Sequence, residues 1–302
     1  MKIALFAMTS KGFAVLETLY GFSPKSIAFV VSARDSATDD DYFSVIEQYC
    51  VSCSIPFYHR SDSPSLIGDL VVAAVSWRWM IKHSSIPLII FHDSILPRCR
   101  GFNPLVTALI NGDSQIGVTM LYASSEYDAG DIIAQSVSDI VYPITILEAI
   151  KLIHGNYKIL AGTLAEHVEF GALPEGKPQV ESEATYSLWR DDQDYVVDWA
   201  QSSEKIERFV DSVGPPYKGA LSYINNQPVR ILSVCQVCDV LIENRTSGKV
   251  LFLKKGLPVV VCGRGLLLIR DMISEDTGAS LLPVLRMRTK FTSWPLCRPA
   301  TK

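Results

Sequence analysis

Short apolar runs alternate with helical periodicity through the first half of the chain. The runs that predict strands lie at 2–7, 26–32, 55–58, 70–75, 88–91 and 117–121. Helical periodicity covers 13–20, 42–50, 104–111 and 145–170, and Thr145 with Glu148 has the spacing of a capping box. Strands separated by helices predict an α/β fold, with a Rossmann-like, mostly parallel sheet in the N-terminal domain.

The pattern changes after residues 171–183, where two prolines, two glycines and charged residues predict a linker. Ser202–Val213 has the pattern of an amphipathic helix. Short apolar runs follow at 220–224, 229–234, 249–253, 259–262 and 266–269. A helix followed by short strands predicts a small β-barrel, of which the OB fold is one example. We therefore predict two domains, residues 1–180 and 181–302.

Composition and charge exclude several classes of protein. The chain is 48% hydrophobic and 20% charged, which is typical of a globular protein rather than a disordered one. The net charge of −4 argues against a strongly basic nucleic-acid binder. No apolar run is long enough to cross a membrane, and the first apolar segment is too short for a signal peptide. We therefore expect a cytoplasmic protein.

The seven cysteines predict free thiols, because the count is odd and no secretory signal is found. Cys50 and Cys53 have metal-ligand spacing, and so do Cys235 and Cys238. A zinc site needs four convergent ligands, however, and the first pair ends a predicted helix while the second lies in or beside a strand. We expect no metal.

Ligands of parallel α/β sheets bind at the carboxyl ends of strands, here just after Ala7, Val75 and Phe91. The turn after the first strand lacks the Gly-x-Gly-x-x-Gly pattern, which argues against a nicotinamide enzyme. Ser10 and Lys11 begin the next helix. Lys11 either meets an anionic group there or is an exposed side chain beside a helix cap.

His92 is the most informative residue, because it ends a buried strand and is followed by Ser94 and a rigid Pro97. A histidine at the end of a strand is more often structural than catalytic. This one lies at the expected crevice, and the loop around Asp128 supplies a carboxylate that could orient it.

This segment resembles the folate-dependent formyltransferase family, which includes methionyl-tRNA and nucleotide-amino-sugar formyltransferases. The family pattern is roughly Asn-x-His-x-Ser-x-Leu-Pro-x-x-x-Gly, followed by an Asp-x-Gly loop. The matching residues are His92, Ser94, Leu96, Pro97, Gly101, Asp128 and Gly130. Further similarity at 184–199 and 216–220 extends the resemblance over nearly the whole chain.

The resemblance implies that an amine attacks the formyl carbon of 10-formyltetrahydrofolate, or of its 5-formyl analogue. His92 would take the amine proton or, when protonated, polarise the formyl oxygen, and Asp128 would hold the imidazole. Hydrogen-bond donors to the oxyanion contribute about 2.7–4 kcal/mol each at comparable sites.

Ile90 departs from the family pattern, because the family places an oxyanion-binding Asn two residues before the histidine. Three explanations stay open. Asn103, Ser94 or a backbone N–H supplies the donor; the enzyme is slow and relies on protonated His92; or the chain is a non-catalytic folate- or ligand-binding protein.

The family's folate pocket corresponds to residues 76–81. The predicted folate-binding residues are Trp77, Trp79, Met80, Ile81, Ile90 and Asp128. The two tryptophans and the methionine either flank a flat pterin or are core anchors, and both interpretations stay open.

A tRNA acceptor would require clustered basic residues near the cleft. The family's tRNA enzymes place a basic loop after the second strand. The matching loop here, residues 33–41, carries four Asp against one Arg. Arg98, Arg100 and Lys11 could instead hold the two phosphates of a nucleotide-linked amino sugar. The predicted substrate-binding residues are Ser10, Lys11, Ser94, Arg98, Arg100 and Asn103.

A sugar N-formyltransferase is therefore the favoured function. The alternatives are a methionyl-tRNA formyltransferase, a non-catalytic binding protein and a 10-formyltetrahydrofolate hydrolase. Residues 188–302 carry 16 Lys and Arg against 12 Asp and Glu, an excess that a solvated surface explains more simply than a phosphate partner. The apolar barrel strands could pair two subunits as a homodimer.

Overall fold

The structure is a computed structural model that describes residues 1–35, 41–82, 86–284 and 286–295. The chain forms two compact units. Unit 1 comprises Met1–Leu105, Gln115–Asp139 and Ile150–Leu188. Unit 2 comprises Val106–Ser114, Ile140–Ala149 and Trp189–Lys302. Residues 181–188 thus cluster with unit 1, while the division into domains at residue 180 stays a prediction.

The first nine strands alternate with four helices. The strands are β1 (Lys2–Ala7), β2 (Ile27–Ser32), β3 (Phe57–His59), β4 (Leu70–Val75), β5 (Leu88–His92), β6 (Arg100–Gly101), β7 (Gln115–Tyr122), β8 (Ile132–Asp139) and β9 (Tyr186–Ser187). The helices are α1 (Thr9–Phe22), α2 (Phe43–Ser52), α3 (Pro104–Asn111) and α4 (Ile146–Phe170). The predicted capping box is confirmed: the Glu148 carboxylate accepts from the Thr145 backbone N–H at 2.8 Å.

Seven strands form one sheet in the order β3-β2-β1-β4-β5-β7-β8. The strands from β3 to β5 are parallel, which confirms the predicted Rossmann-like sheet. The order in which successive strands are added to the sheet reverses between β1 and β4, which are parallel neighbours. The crevice expected for a ligand therefore lies at the carboxyl ends of these two strands. The pairs β5–β7 and β7–β8 are antiparallel.

The edge strand β8 was not predicted. Its sequence mixes Gln135, Ser136, Ser138 and Asp139 with aliphatic residues, and only Ser136 among its eight residues is buried. An edge strand whose residues are mostly half-buried or exposed carries no continuous apolar run, so hydropathy does not reveal it.

Residues 171–183 are bonded to the sheet, which corrects their interpretation as a linker. Lys177 and Ile132 exchange two backbone hydrogen bonds of 2.8 Å. The Tyr122 hydroxyl donates to the carbonyl of Pro174 at 2.7 Å. A Cβ at Gly176 would lie 2.5 Å from Cβ of Asp131, so the glycine lets the two segments approach.

Unit 2 contains α5 (Ser203–Val213) and a six-stranded antiparallel sheet that curls into a half-barrel. Its strands are β10 (Ala220–Ile224), β11 (Gln227–Val237), β12 (Val250–Lys254), β13 (Leu257–Val261), β14 (Leu266–Ser274) and β15 (Phe291–Thr292), in the order β12-β13-β14-β11-β10-β15. The predicted helix followed by a small, curled β-sheet is therefore confirmed, while its assignment as an OB fold stays a prediction. Its core includes Trp199, whose indole N–H donates to Ser222 at 3.0 Å.

None of the helices in the described part of the chain is long and apolar enough to cross a membrane.

Candidate active site

His92 is the last residue of β5, and its side chain lies between two oxygen acceptors. Nε2 is 2.9 Å from the carbonyl oxygen of Cys99, and Nδ1 is 3.5 Å from Oδ1 of Asp128. The first distance is that of a normal hydrogen bond, whereas the second is longer. A neutral imidazole carries one N–H, so it can donate to only one of these oxygens, whereas a doubly protonated ring can donate to both.

The carboxylate of Asp128 is held from its other side. Oδ2 accepts from the backbone N–H of Gly101 at 2.9 Å. Two glycines make the close approach of these loops possible. A Cβ at Gly130 would lie 1.8 Å from the carbonyl oxygen of Tyr122, and one at Gly101 would lie 2.6 Å from that of Ser187. The Asp-x-Gly spacing thus has a steric cause as well as a chemical one.

Arg100 does not have the phosphate-binding role that the sequence predicts for it. Its side chain is 1% exposed, and its guanidinium donates to Gln179 and to both carboxylate oxygens of Glu181, at 2.9–3.1 Å. The ion pair with Glu181 raises the pKa of Arg100 although burial alone would lower it. The donors of Arg100 are therefore engaged by Gln179 and Glu181 of its own chain.

Ser94 has a buried hydroxyl that has no hydrogen-bond partner among the described residues. Its backbone is fixed, because the carbonyl of Ser94 accepts from the Thr119 hydroxyl at 2.7 Å. The Thr119 oxygen in turn accepts from the N–H of Leu96 at 3.1 Å and from the amide of Gln135 at 2.8 Å. A buried hydroxyl without a partner costs about 1–3 kcal/mol, so this one is a candidate donor to a bound substrate.

Sequence analysis missed Thr119 and Gln135. Thr119 lies in β7 opposite His92, and Gln135 lies opposite Thr119 in β8. Only the strand pairing shows this relation, and no local motif marks it.

A second polar cluster lies next to Asp93, which directly follows His92. The Asp93 carboxylate accepts from the Lys11 ammonium and from the Tyr157 hydroxyl, and the Lys11 and Asp93 side chains are each 15% exposed. Burial alone would raise the pKa of Asp93, but the charge and hydrogen bond of Lys11, together with Tyr157, hold it below its ordinary value. Lys11 is therefore engaged by a carboxylate of its own chain.

The same cluster includes the predicted residue Ser10, whose hydroxyl is 3.0 Å from Nε2 of His154. Burial lowers the pKa of His154, and the nearby Lys11 and Lys158 lower it further. Sequence analysis missed Asp93, His154 and Tyr157. His154 and Tyr157 are three positions apart on α4, and this spacing is the local signal that they share a helix face.

The segment after β4 carries the predicted folate-binding residues. The Trp77 ring packs edge-on against Phe6 at 5.1 Å and against Trp79 at 5.2 Å, and Trp77 and Ile81 pack on the apolar cluster of that sheet face. The Trp77 indole N–H is nevertheless buried without a partner among the described residues. Met80, in contrast, is 86% exposed.

The other predicted residues differ in their surroundings. Ile90 is half-buried in β5, paired with Ala74 and Leu121, and offers no donor. Asn103 and Arg98 are exposed, and Asn103 precedes α3 with a positive φ of 49°. The structure thus brings His92 and Asp128 together, whereas Ser10 and Lys11 belong to the Asp93 cluster.

No metal-binding group is found among the described residues. None of the six cysteines that the structure describes forms a disulfide, and Cys297 lies outside the described residues. Burial raises the pKa of Cys50 and of Cys262 to about 12, so neither thiol is a thiolate at neutral pH.

Comparison with known proteins gives matches to both parts of the chain. Residues 69–152 match the family model described as formyl transferase, and residues 190–279 match the formyl transferase C-terminal domain. The methionyl-tRNA formyltransferase of Fusobacterium nucleatum is 30% identical over 235 residues, which cover 72% of this chain and 74% of that protein.

Solved structures share the fold. An N-formyltransferase from Helicobacter canadensis, in complex with folinic acid and dTDP-3-aminofucose, has a TM-score of 0.69 at 14% identity and covers 89% of this chain and 98% of its own. HypX from Aquifex aeolicus has a TM-score of 0.62 at 20% identity, and the match covers 91% of this chain but 44% of that one. Together with the sequence matches, these findings show that the chain is an enzyme of the formyltransferase family.

Proposed function

We propose that this enzyme transfers a formyl group from 10-formyltetrahydrofolate to the primary amine of a nucleotide-linked amino sugar, with His92 and Asp128 as its catalytic pair. The observation that carries the proposal is the imidazole of His92, held at the end of β5 between the Cys99 carbonyl and the Asp128 carboxylate. The folate donor would supply the one-carbon group when bound.

The chemistry requires a group that manages one proton. A bond forms between the amine nitrogen and the formyl carbon, the bond from that carbon to the folate nitrogen breaks, and the amine proton moves to that nitrogen. A neutral His92 accepts the amine proton and passes it on, whereas a protonated His92 polarises the formyl oxygen. Asp128 orients the ring and stabilises its positive charge in either case.

Ser94 is the proposed donor to the formyl oxygen, in the role that the family gives to the Asn at position 90. Its hydroxyl is buried and has no partner among the described residues, and Thr119 fixes the backbone that carries it. The exposed Asn103 is a weaker candidate, because solvent competes for its amide.

Trp77 is the proposed contact for the pterin. Its buried indole N–H has no partner among the described residues, which fits a ligand with acceptor atoms on a flat ring. Its packing on Phe6 fixes the plane of the indole, so the roles of core anchor and ligand contact are compatible for this residue. The exposed Met80 has no such support.

The charges at the strand ends favour a small acceptor over tRNA. Lys11 pairs with Asp93, Arg34 with Asp41, and Arg78 with Asp35. These carboxylates weaken the positive potential that a phosphate backbone requires. The other two acidic residues of the 33–41 loop, Asp39 and Asp40, lie outside the described part of the chain. Arg98 stays the proposed phosphate contact.

Methionyl-tRNA formyltransferase is the second candidate, favoured by the relative from Fusobacterium nucleatum. The two candidate functions are distinguished by incubating the enzyme and formyl donor with a panel of nucleotide-linked amino sugars and, separately, with methionyl-tRNA. The readout is a mass gain of one formyl group. We expect an amino sugar to be formylated and the tRNA ester to remain unmodified. Formylation of the tRNA alone would overturn the proposed acceptor, and formate release without either product would indicate a hydrolase.

A further inference from the structure

Gln179 lies in the segment predicted as a linker, and it connects two parts of unit 1. Its amide nitrogen donates to the carbonyl oxygen of Asp128 at 2.7 Å and to that of Gly130 at 2.8 Å. Its amide oxygen accepts from Nε and Nη2 of Arg100 at 3.1 and 3.0 Å. The single amide thus bonds to both carbonyls of the Asp-x-Gly loop and to a buried guanidinium.

The orientation of this amide is fixed by the chemistry of its partners. A guanidinium has donors only, so the oxygen of Gln179 has to face Arg100. The two carbonyls are acceptors only, so the NH₂ group has to face the loop. Arg100 is itself immobilised by the carboxylate of Glu181 and by a 2.9 Å backbone hydrogen bond to Thr185.

The Asp128 loop needs such support, because Asp128 has a positive φ of 54°, a conformation that favours glycine. Gly101 holds only the carboxylate of Asp128, whereas Gln179 holds the backbone on both sides of Ala129. The distance between Asp128 and His92 therefore depends on the Gln179 amide.

We propose that Gln179 is a positioning residue that holds the Asp128 carboxylate toward His92, with Arg100 fixing its orientation. This inference rests on the proposed catalytic role of the His92–Asp128 pair. It assigns the 171–183 segment a part in the reaction, although none of its side chains is proposed to touch the substrate.

The test is Gln179→Glu, which has nearly the same size. The new carboxylate keeps acceptor atoms for Arg100 but loses both N–H donors and places an oxygen against two carbonyls. We expect kcat for formyl transfer to fall about 30-fold, while KM for donor and acceptor changes less than about twofold. Gln115→Glu is the matched control, because it makes the same exchange of amide for carboxylate in unit 1, at an exposed strand end where the amide donates only to Asp139 among the described side chains.

A double variant separates positioning from a general loss of structure. If Gln179 acts through Asp128, then Gln179→Glu has little further effect on kcat in an Asp128→Asn background. Multiplied losses in the double variant, an unchanged kcat in the single variant, or a loss confined to KM would each overturn the inference. If the Glu variant does not fold, Gln179→Ser, which adds no charge, is carried through the same cycle and judged by the same outcomes.

The same cycle distinguishes failure of this inference from failure of the proposed function. Full activity in Asp128→Asn would refute the catalytic pair itself. An inactive Asp128→Asn together with a fully active Gln179→Glu would refute only the role of Gln179.

Discussion

Two side-chain pairs, His92 with Asp128 and Asp93 with Lys11, involve consecutive residues at one end of β5, and they differ in their hydrogen bonds. The Asp93 carboxylate accepts hydrogen bonds from the Lys11 ammonium and from the Tyr157 hydroxyl. The Nδ1 atom of His92 lies 3.5 Å from the Asp128 carboxylate, and its Nε2 atom lies within hydrogen-bond distance of a backbone carbonyl oxygen. Phe91, which precedes His92 in β5, stacks on the Tyr157 ring of the Asp93 cluster. Since neighbouring residues of a strand point to opposite faces of the sheet, the cluster lies on the face opposite to the His92 side chain.

The difference separates a pair with fixed protonation states from the proposed catalytic pair. In the Asp93 cluster, Lys11 keeps the pKa of the carboxyl low, and burial with the nearby Asp93 charge keeps the pKa of Tyr157 well above its ordinary value. Those protonation states do not change near neutral pH. The His92 ring, in contrast, faces two acceptor oxygens, and only a doubly protonated ring can donate to both of them.

The largest expected effect is on catalysis. His92→Ala removes the group proposed to handle the amine proton, so formyl transfer should fall at least about 10³-fold, measured by the rate of product formation under saturating donor. The melting temperature should change by no more than a few degrees, because the ring is bound to only one carbonyl and one carboxylate. The control is His154→Ala on the other face, which should retain activity within about threefold. Equal losses in the two variants would remove the distinction between the faces.

The next effect is on stability. Asp93→Asn leaves the Lys11 ammonium without its carboxylate, so the free energy of unfolding should fall by about 3 kcal/mol, measured by urea denaturation. Formyl transfer by the folded variant should stay within about threefold of the wild type. A variant with normal stability but abolished activity would show that the Asp93 cluster takes part in the reaction.

The pH dependence of that stability difference follows from the lowered pKa of Asp93. The carboxylate contributes its full stabilisation above the pKa of an unfolded Asp, about 3.9, and loses it as pH falls through the lower pKa of the folded protein. The advantage of the wild type over Asp93→Asn should therefore be constant from pH 7 to about 5 and shrink below about pH 4. An advantage that grows in acid would contradict the assigned ion pair.

The smallest expected effect concerns the missing family asparagine. If the Ser94 hydroxyl supplies the oxyanion donor, Ile90→Asn should change kcat by less than about threefold, whereas Ser94→Ala should lower it about tenfold or more. Single-turnover rates of the two variants check this. A gain of about a hundredfold in Ile90→Asn, with no loss in Ser94→Ala, would show that the wild type lacks a donor.

The parts of the fold that sequence alone predicts are those whose burial is continuous along the chain. β4 and α3 have the predicted bounds, because β4 is buried on both faces and Pro104 marks the start of α3. β8 was missed, because an exposed edge has no such continuity. The antiparallel direction of β7 was also not predicted, since a hydrophobic run carries no sign of strand direction.

The candidate site shows the same limit. His92 and Asp128 could be proposed because a motif with characteristic spacing marks them. Lys11 and Asp93, 82 positions apart, have no common motif, and only the folded sheet reveals that they pair. The phosphate-binding role predicted for Arg100 finds no support, because its side chain is buried and bonded to Gln179 and Glu181. Arg100 lies in β6, and the pairing of β6 with β9 is too short for a sequence pattern to indicate.

The bonds made by Arg100 have a practical consequence for anyone who shortens this gene. A fragment ending at residue 180, at the boundary that composition indicates, would lose the Glu181 carboxylate, Thr185 and the whole of β9, all of which bond to Arg100 or to the residues beside it. A shortened gene therefore has to extend at least through the codon for Leu188, the last residue of unit 1.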